Sequence, residues 1–377
     1  MNTTTEQICG HYEGYTWLRF ILISLASLVV SIGIVFNLLL FIVFAISHKL
    51  TLAVLASLDC GLCIVYVLLF GIDAVNVFLH VDITTSIYHF YMYPTYVGSR
   101  TIQLAIPYVL IFATGERLVA LFGTSLHYLK NIVNSSGSLL VALLIVCICF
   151  IIRAPIIAVY DINIYPNCTI HHRAMEVGPN RLHKTDWYHM YELYFMTIIQ
   201  IFLPFVILIC LNLVIVRKLC EETRNNDRRQ SVALSQQHHE TVAMRAIENH
   251  ENESAVWLLD TSSSFIGKLV HSELKREKRR TRNAIYTMTV ICLSYLSCNS
   301  VHLVLTVLEK LHAPILQDAT DSAKASAFYV TAGDIGSFLA AFCSAIRLPI
   351  YYKCSPETRD RLKRFCRCGA RSGDELL

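Results

Sequence analysis

Hydrophobic residues run through this chain in long stretches, and polar residues gather between those stretches. Residues 20–46 and 193–216 contain no Asp, Glu, Lys or Arg. A helix needs about 20 apolar residues to cross a bilayer, and its backbone groups must pair within the helix because lipid offers no partners. The pattern predicts seven such helices, at about 18–46, 51–79, 96–124, 137–160, 189–219, 281–309 and 324–352.

The composition agrees with this pattern. Of the 377 residues, 54% are hydrophobic and 16% are charged, whereas soluble domains are typically about 25% charged. We therefore do not expect a water-soluble enzyme, and the alternating ten-residue segments typical of a β-barrel are not found. The predicted fold class is an all-α membrane protein, a seven-transmembrane helix bundle.

Basic residues indicate the orientation of the bundle. They cluster beside predicted span ends at 217–218, 275–282 and 353–364, and Lys and Arg favour the cytoplasmic side. We expect a multi-pass protein of the plasma membrane with an extracellular N-terminus and a cytoplasmic C-terminus. The predicted divisions are an extracellular segment at 1–17, a transmembrane domain at 18–353 that contains a long, largely disordered third intracellular loop at 220–280, and a cytoplasmic segment at 354–377.

Most of the fourteen cysteines are expected within spans or on the cytosolic side. Only Cys9 and Cys168 face the oxidising side, which leaves room for one extracellular disulfide. Cys366 and Cys368 lie in a basic stretch beside the last span. Such cysteines are candidates for palmitoylation, and an unmodified thiol is the alternative at each of them.

Other modification and cofactor motifs are few. Asn2 and Asn167 begin Asn-x-Thr sequons on the predicted outer side, so we expect glycosylation at both. No metal-ligand spacing and no phosphate-binding loop occurs in the sequence, so no metal and no cofactor is expected.

Several polar residues and prolines lie within or at the ends of the predicted spans. An ionisable side chain at membrane depth is costly, and it is therefore a candidate functional residue. In chain order, the residues of this kind are Asn37, Asp59, Glu116, Arg117, Pro204, Asp334 and Pro349.

In this order, these residues resemble the motifs of rhodopsin-like G-protein-coupled receptors. Asn37 resembles the family's first-helix asparagine, and Asp59 resembles its second-helix aspartate. Residues 116–118 (Glu-Arg-Leu) are similar to the Glu/Asp-Arg-Tyr motif, and residues 349–352 are similar to the end of Asn-Pro-x-x-Tyr. Residues 355–365 look like the family's short amphipathic eighth helix.

Residues of the sixth and seventh spans resemble a particular group within this family. The sixth span contains Cys298-Asn299, with Glu309 shortly after, and residues 334–337 read Asp-Ile-Gly-Ser. These three pieces are similar to invertebrate FMRFamide-type neuropeptide receptors, of which nematodes hold many.

The chain departs from the family pattern at Leu118, Val301 and Leu348. Leu118 stands where the family has tyrosine, and Val301 stands where a proline normally kinks the sixth helix. Leu348 replaces an asparagine that is a polar partner of Asp59, so we do not expect a bound sodium ion beside Asp59.

A further departure concerns the disulfide. The family's usual bridge joins the start of the third span to the second outer loop, but residues 64–146 contain no cysteine. Cys168 therefore lacks that partner, and we expect it to pair with Cys9.

The resemblance also implies a signalling mechanism, in which a ligand shifts a two-state bundle by binding one state more tightly. At rest Arg117 pairs with Glu116; on activation the sixth helix moves outward, Tyr352 turns inward, and a groove opens for the C-terminal helix of a G-protein α subunit. The implied partners are heterotrimeric G proteins, arrestin-like regulators and the lipid bilayer. The predicted switch residues are Glu116, Arg117, Asn37, Asp59, Pro204, Cys298, Asn299, Pro349 and Tyr352.

The implied ligand is an extracellular peptide, amidated and FMRFamide-like. A peptide that ends in Arg-Phe-amide carries a cation and an aromatic ring. Asp334 or Glu309 would pair with the arginine, and Phe328, Tyr329 or Tyr191 would contact the ring. The candidate ligand-binding residues are Arg100, Gln103, Glu192, Glu309 and Asp334.

Three other functions stay open. The first is a chemosensory receptor of the same fold for a small molecule. The second is a transporter or channel, although the internal repeats and paired interrupted helices of transporters are not found. The third is a decoy receptor that binds ligand without signalling. We expect no enzyme activity and no nucleic-acid partner.

Overall fold

The computed structural model describes residues 16–79, 82–122, 135–166, 168, 175–218, 221, 224, 282–283, 285–309, 311, 313–316 and 326–374. Within these residues, seven helices are long and apolar enough to cross a membrane. We number them as the first to seventh spans: Trp17–Ile46, Leu50–Asn76, Phe90–Val119, Ser136–Val159, Asp186–Lys218, Ile285–Glu309 and Ala327–Cys354. They confirm the predicted helical bundle with seven candidate membrane spans.

Changes of helix type divide several spans. The α-helices with described bounds are Trp17–Ile46, Leu50–Tyr66, Ile72–Leu79, Asp82–Phe122, Ser135–Arg153, Pro155–Val159, Asp186–Met190, Ala327–Ala345, Arg347–Cys354 and Pro356–Asp374. Wider π-helical turns lie at Val67–Gly71, Tyr191–Met196 and Ile198–Phe202, and 3₁₀ turns lie at Arg181–Lys184 and Pro314–Leu316. Because a π turn displaces the usual backbone hydrogen bonds, it frequently marks a functional position within a helix.

The third span belongs to a helix of 41 residues, Asp82–Phe122. This helix begins well before the predicted start at about 96. Most of the segment between the predicted second and third spans, which is rich in tyrosine, is therefore helical. Hydropathy detects the part of a helix that lipid would cover, and it does not detect the turns that continue into polar sequence. Pro94 and Pro107 both lie inside this helix.

A β-hairpin, which the hydropathy pattern did not predict, follows the fourth span. Strand β1 (Tyr160–Ile164) pairs antiparallel with strand β2 (Met175–Pro179), and Tyr160 stands opposite Pro179. The β1 sequence alternates Ile with polar residues, which favours a strand with two different faces. We call this end of the bundle the hairpin end, and the opposite end, which contains Arg117, the Arg117 end.

The apolar surface of the bundle is divided between a packed interior and an exposed exterior. Leu55, Leu110 and Ile291, from the second, third and sixth spans, belong to one buried cluster. Leu28 and Leu140, in contrast, are 65% and 70% exposed. A large apolar exterior of this kind suits contact with lipid.

The first and seventh spans approach each other closely at Gly33. A Cβ atom at this position would contact the Cβ of Ala345 and would lie 2.9 Å from the Ala345 Cα. The absence of a side chain at Gly33 therefore permits the two helices to pack backbone against backbone.

We expect Gly33→Ala to lower the thermal unfolding temperature of the purified protein, because relief of the clash must separate the two spans, at a cost of about 1–3 kcal/mol. Gly98→Ala is the matched control, since no atom lies within 4 Å of a Cβ built there, and alanine favours a helix interior. Equal unfolding temperatures for the two variants would contradict the packing role of Gly33.

Candidate functional site

A buried ion pair joins the second and seventh spans in the middle of the bundle. Arg347 Nη1 donates a hydrogen bond to Asp59 Oδ2, and the side chains are 2% and 0% exposed. Ser344 Oγ donates to the other carboxylate oxygen, Asp59 Oδ1, at 2.7 Å. Each carboxylate oxygen therefore has a partner.

Asp59 has a charged partner, Arg347, that the sequence did not predict. Leu348 provides no polar partner, as expected, but the residue before it supplies a positive charge from the protein itself. A buried carboxylate needs a compensating charge or proton, and the guanidinium of Arg347 meets that need.

Asn37 extends this polar connection to the first span. Its Nδ2 donates to the backbone carbonyl of Ser344 at 3.0 Å and to that of Gly33 at 2.9 Å. Asn37 is fully buried. Three spans thus meet at one hydrogen-bonded cluster: Asn37, Asp59, Ser344 and Arg347.

A cavity of about 600 Å³ lies at the hairpin end. Its lining includes all the predicted ligand-binding residues, Arg100, Gln103, Glu192, Glu309 and Asp334. Tyr329 also lines the cavity, whereas Phe328 and Tyr191 do not belong to its lining.

Two of the predicted acidic residues are already paired with arginines. Arg19, at the start of the first span, contacts both carboxylate oxygens of Asp334, at 2.7 and 3.2 Å. Arg153 contacts both oxygens of Glu192 at 3.2 Å and also binds Gln200. Asp334 is therefore not free to receive the arginine of a peptide unless Arg19 moves away.

The remaining two charged candidates have neutral partners. Arg100 donates to the Tyr96 hydroxyl from Nε at 3.2 Å and from Nη2 at 3.1 Å. Glu309 Oε1 accepts a hydrogen bond of 2.6 Å from the Tyr329 hydroxyl. Within the described part of the chain, neither Arg100 nor Glu309 belongs to an ion pair.

Strand β1 of the hairpin places an aromatic side chain against Tyr96, the residue that binds Arg100. Tyr160 packs edge-on against Tyr96, with ring centroids 5.8 Å apart. Burial is the largest cause that raises the pKa of Tyr160, and the interaction with Tyr96 is the next; together they raise it to about 12. Tyr160 therefore stays neutral at physiological pH and does not compensate the charge of Arg100.

A second cavity, of about 870 Å³, lies at the Arg117 end. Arg117 lines it together with Met288 of the sixth span. Glu116 accepts a 3.0 Å hydrogen bond from Thr51 Oγ1, and the described ion pairs do not include the expected one between Glu116 and Arg117. Because adjacent residues point in different directions around a helix, Glu116 reaches the second span instead.

The tyrosine that faces inward at the Arg117 end is Tyr351, not Tyr352. Tyr351 is 4% exposed and packs edge-on against Phe44, whereas Tyr352 is 43% exposed. The Tyr351 hydroxyl donates to Met288 Sδ at 3.8 Å. Pro349 lies at the surface two residues before Tyr351.

Charged contacts fix the helix Pro356–Asp374 to the turn between the first and second spans. Lys49 Nζ lies 2.9 Å from Glu357 Oε2, and Arg361 bonds both Glu357 and Ser47. Burial lowers the pKa of Lys49 despite this contact. For Glu357, burial acts to raise the pKa, but the contacts with Lys49 and Arg361 dominate and hold it below its ordinary value.

The other predicted switch residues line or adjoin the core. Pro204 is buried just after the π turn at Ile198–Phe202. Asn299 lines the cavity of the hairpin end, and its Nδ2 donates to the Tyr295 carbonyl. Cys298 contacts the thiol of Cys343 on the seventh span.

The predicted modification sites are only partly within the described residues. Cys168 is disulfide-bonded, but its expected partner Cys9 lies outside the described residues, as do Asn2 and Asn167. Cys366 and Cys368 belong to the helix Pro356–Asp374, although their side chains are not described. No group of three or more His, Cys, Asp or Glu side chains suited to a metal occurs among the residues searched.

The sequence pattern predicts no role for Arg19, Arg153 or Arg347. Arg153 and Arg347 lie within apolar spans, and this position alone marks an ionisable residue as one that needs a partner. Their partners are 39 and 288 residues away along the chain, so only the packing of the helices identifies them.

We expect the Asp59–Arg347 pair to behave as one unit in a double-mutant cycle. Asp59→Asn or Arg347→Met alone leaves a buried charge unpaired and costs about 3–5 kcal/mol. The double variant removes both charges and also the Nε and Nη2 donors of Arg347, which have no hydrogen-bond partner among the described residues. It should recover much of the thermal unfolding temperature, whereas additive losses would contradict the pairing.

Neither a protein-family model nor a curated protein matches this chain.

Proposed function

We propose that this chain is a rhodopsin-like G-protein-coupled receptor for an extracellular neuropeptide, an amidated FMRFamide-like peptide, and that it signals through heterotrimeric G proteins. The hairpin end then faces outside the plasma membrane, and the Arg117 end faces the cytoplasm. One observation carries this proposal: two cavities, of about 600 and 870 Å³, lie at opposite ends of one helical bundle. Between them, Asn37, Asp59 and Arg347 connect three spans.

Glu309 is the residue that we assign to the arginine of the peptide. It has a neutral partner, Tyr329, whereas Asp334 is already bonded to Arg19. Tyr329 also offers an aromatic ring to the terminal phenylalanine. A cavity of about 600 Å³ is the size of a small-ligand pocket, so it accepts the end of a peptide and leaves the rest outside.

The cavity at the Arg117 end is the proposed site for the G protein. A helix-in-groove contact needs an open apolar groove, and Val43, Leu52 and Met288 provide apolar lining beside Arg117. A peptide that binds one arrangement of the spans more tightly shifts the population toward it, and the buried polar cluster couples the two ends.

We also propose that the helix Pro356–Asp374 is the eighth helix of this receptor and lies along the cytoplasmic membrane surface. Thr358 and Leu362 are buried against the bundle, while Lys363 and Arg364 are exposed. An amphipathic, basic helix of this kind binds anionic lipid, and palmitoylation of Cys366 and Cys368 would strengthen the attachment.

A panel of synthetic Arg-Phe-amide peptides tests the ligand assignment in cells that express the full chain. We expect a calcium or cAMP response, and we expect Glu309→Gln to raise the concentration for half-maximal response about tenfold or more, because a charge-assisted hydrogen bond is lost. Asp161→Asn, an exposed acid of the hairpin, is the matched control and should leave the response unchanged. A response to small odorants only would favour the chemosensory alternative.

Arg117→Gln should abolish the peptide response while surface expression stays at the wild-type level, because the G-protein groove loses the positive charge that the third span contributes to its lining. Lys353→Gln, an exposed cation at the same end, is the control. A full response from Arg117→Gln would overturn the signalling assignment.

A further inference from the structure

The charged residues that line the cavity of the hairpin end are divided between two walls. Arg100, Arg153 and Glu192 come from the third, fourth and fifth spans. The first, sixth and seventh spans supply Arg19, Glu309 and Asp334.

One ion pair in each wall leaves one unbalanced charge in that wall. Arg153 is neutralised by Glu192, so Arg100 leaves the wall of the third to fifth spans positive. Arg19 is paired with Asp334, so Glu309 leaves the other wall negative. The two ion pairs thus leave one positive charge on the third span and one negative charge on the sixth span.

The two unbalanced charges act on the same part of the cavity. His302 lines the cavity and interacts electrostatically with both Arg100 and Glu309. Tyr329 also lines the cavity and interacts with the same two residues. A single ligand therefore experiences both charges at once.

Arg100 is ready to accept an anionic group. Its guanidinium lies 5.1 Å from the centroid of the Tyr96 ring and is oriented by two bonds to the Tyr96 hydroxyl. Nη1 takes part in no described hydrogen bond, so this donor remains available. A carboxylate is the group that a guanidinium binds best through charge-assisted hydrogen bonds.

We propose that the cavity binds a ligand with two opposite charges, and that Arg100 is an anion subsite for a carboxylate located on the N-terminal side of the peptide's arginine. The proposal rests on the proposed receptor function and deepens it, since Glu309 alone would select any cationic peptide. With both subsites, a peptide that contains an acidic residue before the arginine is preferred over its neutral counterpart.

The separation of charge can be measured without a ligand. Single cysteines introduced as Gln103→Cys on the third span and Thr306→Cys on the sixth both line the cavity. The purified full chain is labelled with an anionic (sulfonatoethyl) or a cationic (trimethylammonioethyl) methanethiosulfonate, and peptide mapping by mass spectrometry gives each rate. Each labelling rate is divided by the rate of the same reagent with free cysteine in solution. We expect the resulting anionic-to-cationic ratio to be roughly tenfold higher at Gln103→Cys than at Thr306→Cys.

Variants at Arg100 identify the source of this ratio. Arg100→Gln should lower the ratio at Gln103→Cys toward that at Thr306→Cys, whereas Arg100→Lys should keep it high because the charge is retained. Equal ratios at the two reporters, or a ratio that Arg100→Gln does not change, would overturn the charge separation.

Paired peptides test the carboxylate preference. In synthetic Arg-Phe-amide peptides, Asp or Asn occupies one of the three positions before the arginine. We expect an Asp peptide to act at about tenfold lower concentration than its Asn partner, and this advantage should disappear in Arg100→Gln. Equal potency within every pair would overturn the anion subsite but not the receptor function. If no peptide produces a response, the receptor function is overturned, and the labelling ratios alone then test the charge separation.

Discussion

The ion pair between Asp59 and Arg347 is the contact on which the arrangement of the spans depends. Both side chains lie where neither water nor lipid can neutralise them, so each fixes the position of the other. Ser344 and Asn37 bind the same cluster, which joins the first, second and seventh spans. The close approach of Gly33 to Ala345 brings the first and seventh spans near enough for the bond from Asn37 to form.

The need to pair buried charges also arranges the side chains at the hairpin end. Arg153 pairs with Glu192 and Arg19 pairs with Asp334, so four of the six charged side chains in the described lining of that cavity compensate one another. The two that remain, Arg100 and Glu309, are held by tyrosine hydroxyls, which orient a charge without cancelling it. Charge pairing between spans thus decides which groups are left to meet a ligand.

Tyrosine hydroxyls also support the irregular backbone of the fifth and fourth spans. The Tyr108 hydroxyl donates to the Ile199 carbonyl at 2.8 Å, within a π-helical turn. The Tyr93 hydroxyl donates to the Ile157 carbonyl at 2.6 Å, in the short helix that begins at Pro155. Backbone groups that leave the regular helix in a membrane need such partners, and their presence allows these spans to change pitch beside the cavity.

The number and class of the spans, and most of the candidate site residues, follow from the chain's hydrophobic pattern and its polar exceptions. Long runs without charge, such as 193–216, are stable in lipid as helices. An ionisable residue within an apolar span, such as Asp59, needs a partner. Only the tertiary structure decided the pairings, because they join residues as far apart as Asp59 and Arg347. The hydrophobic pattern is a local property of the chain, whereas the choice of a partner depends on which faces of the helices meet.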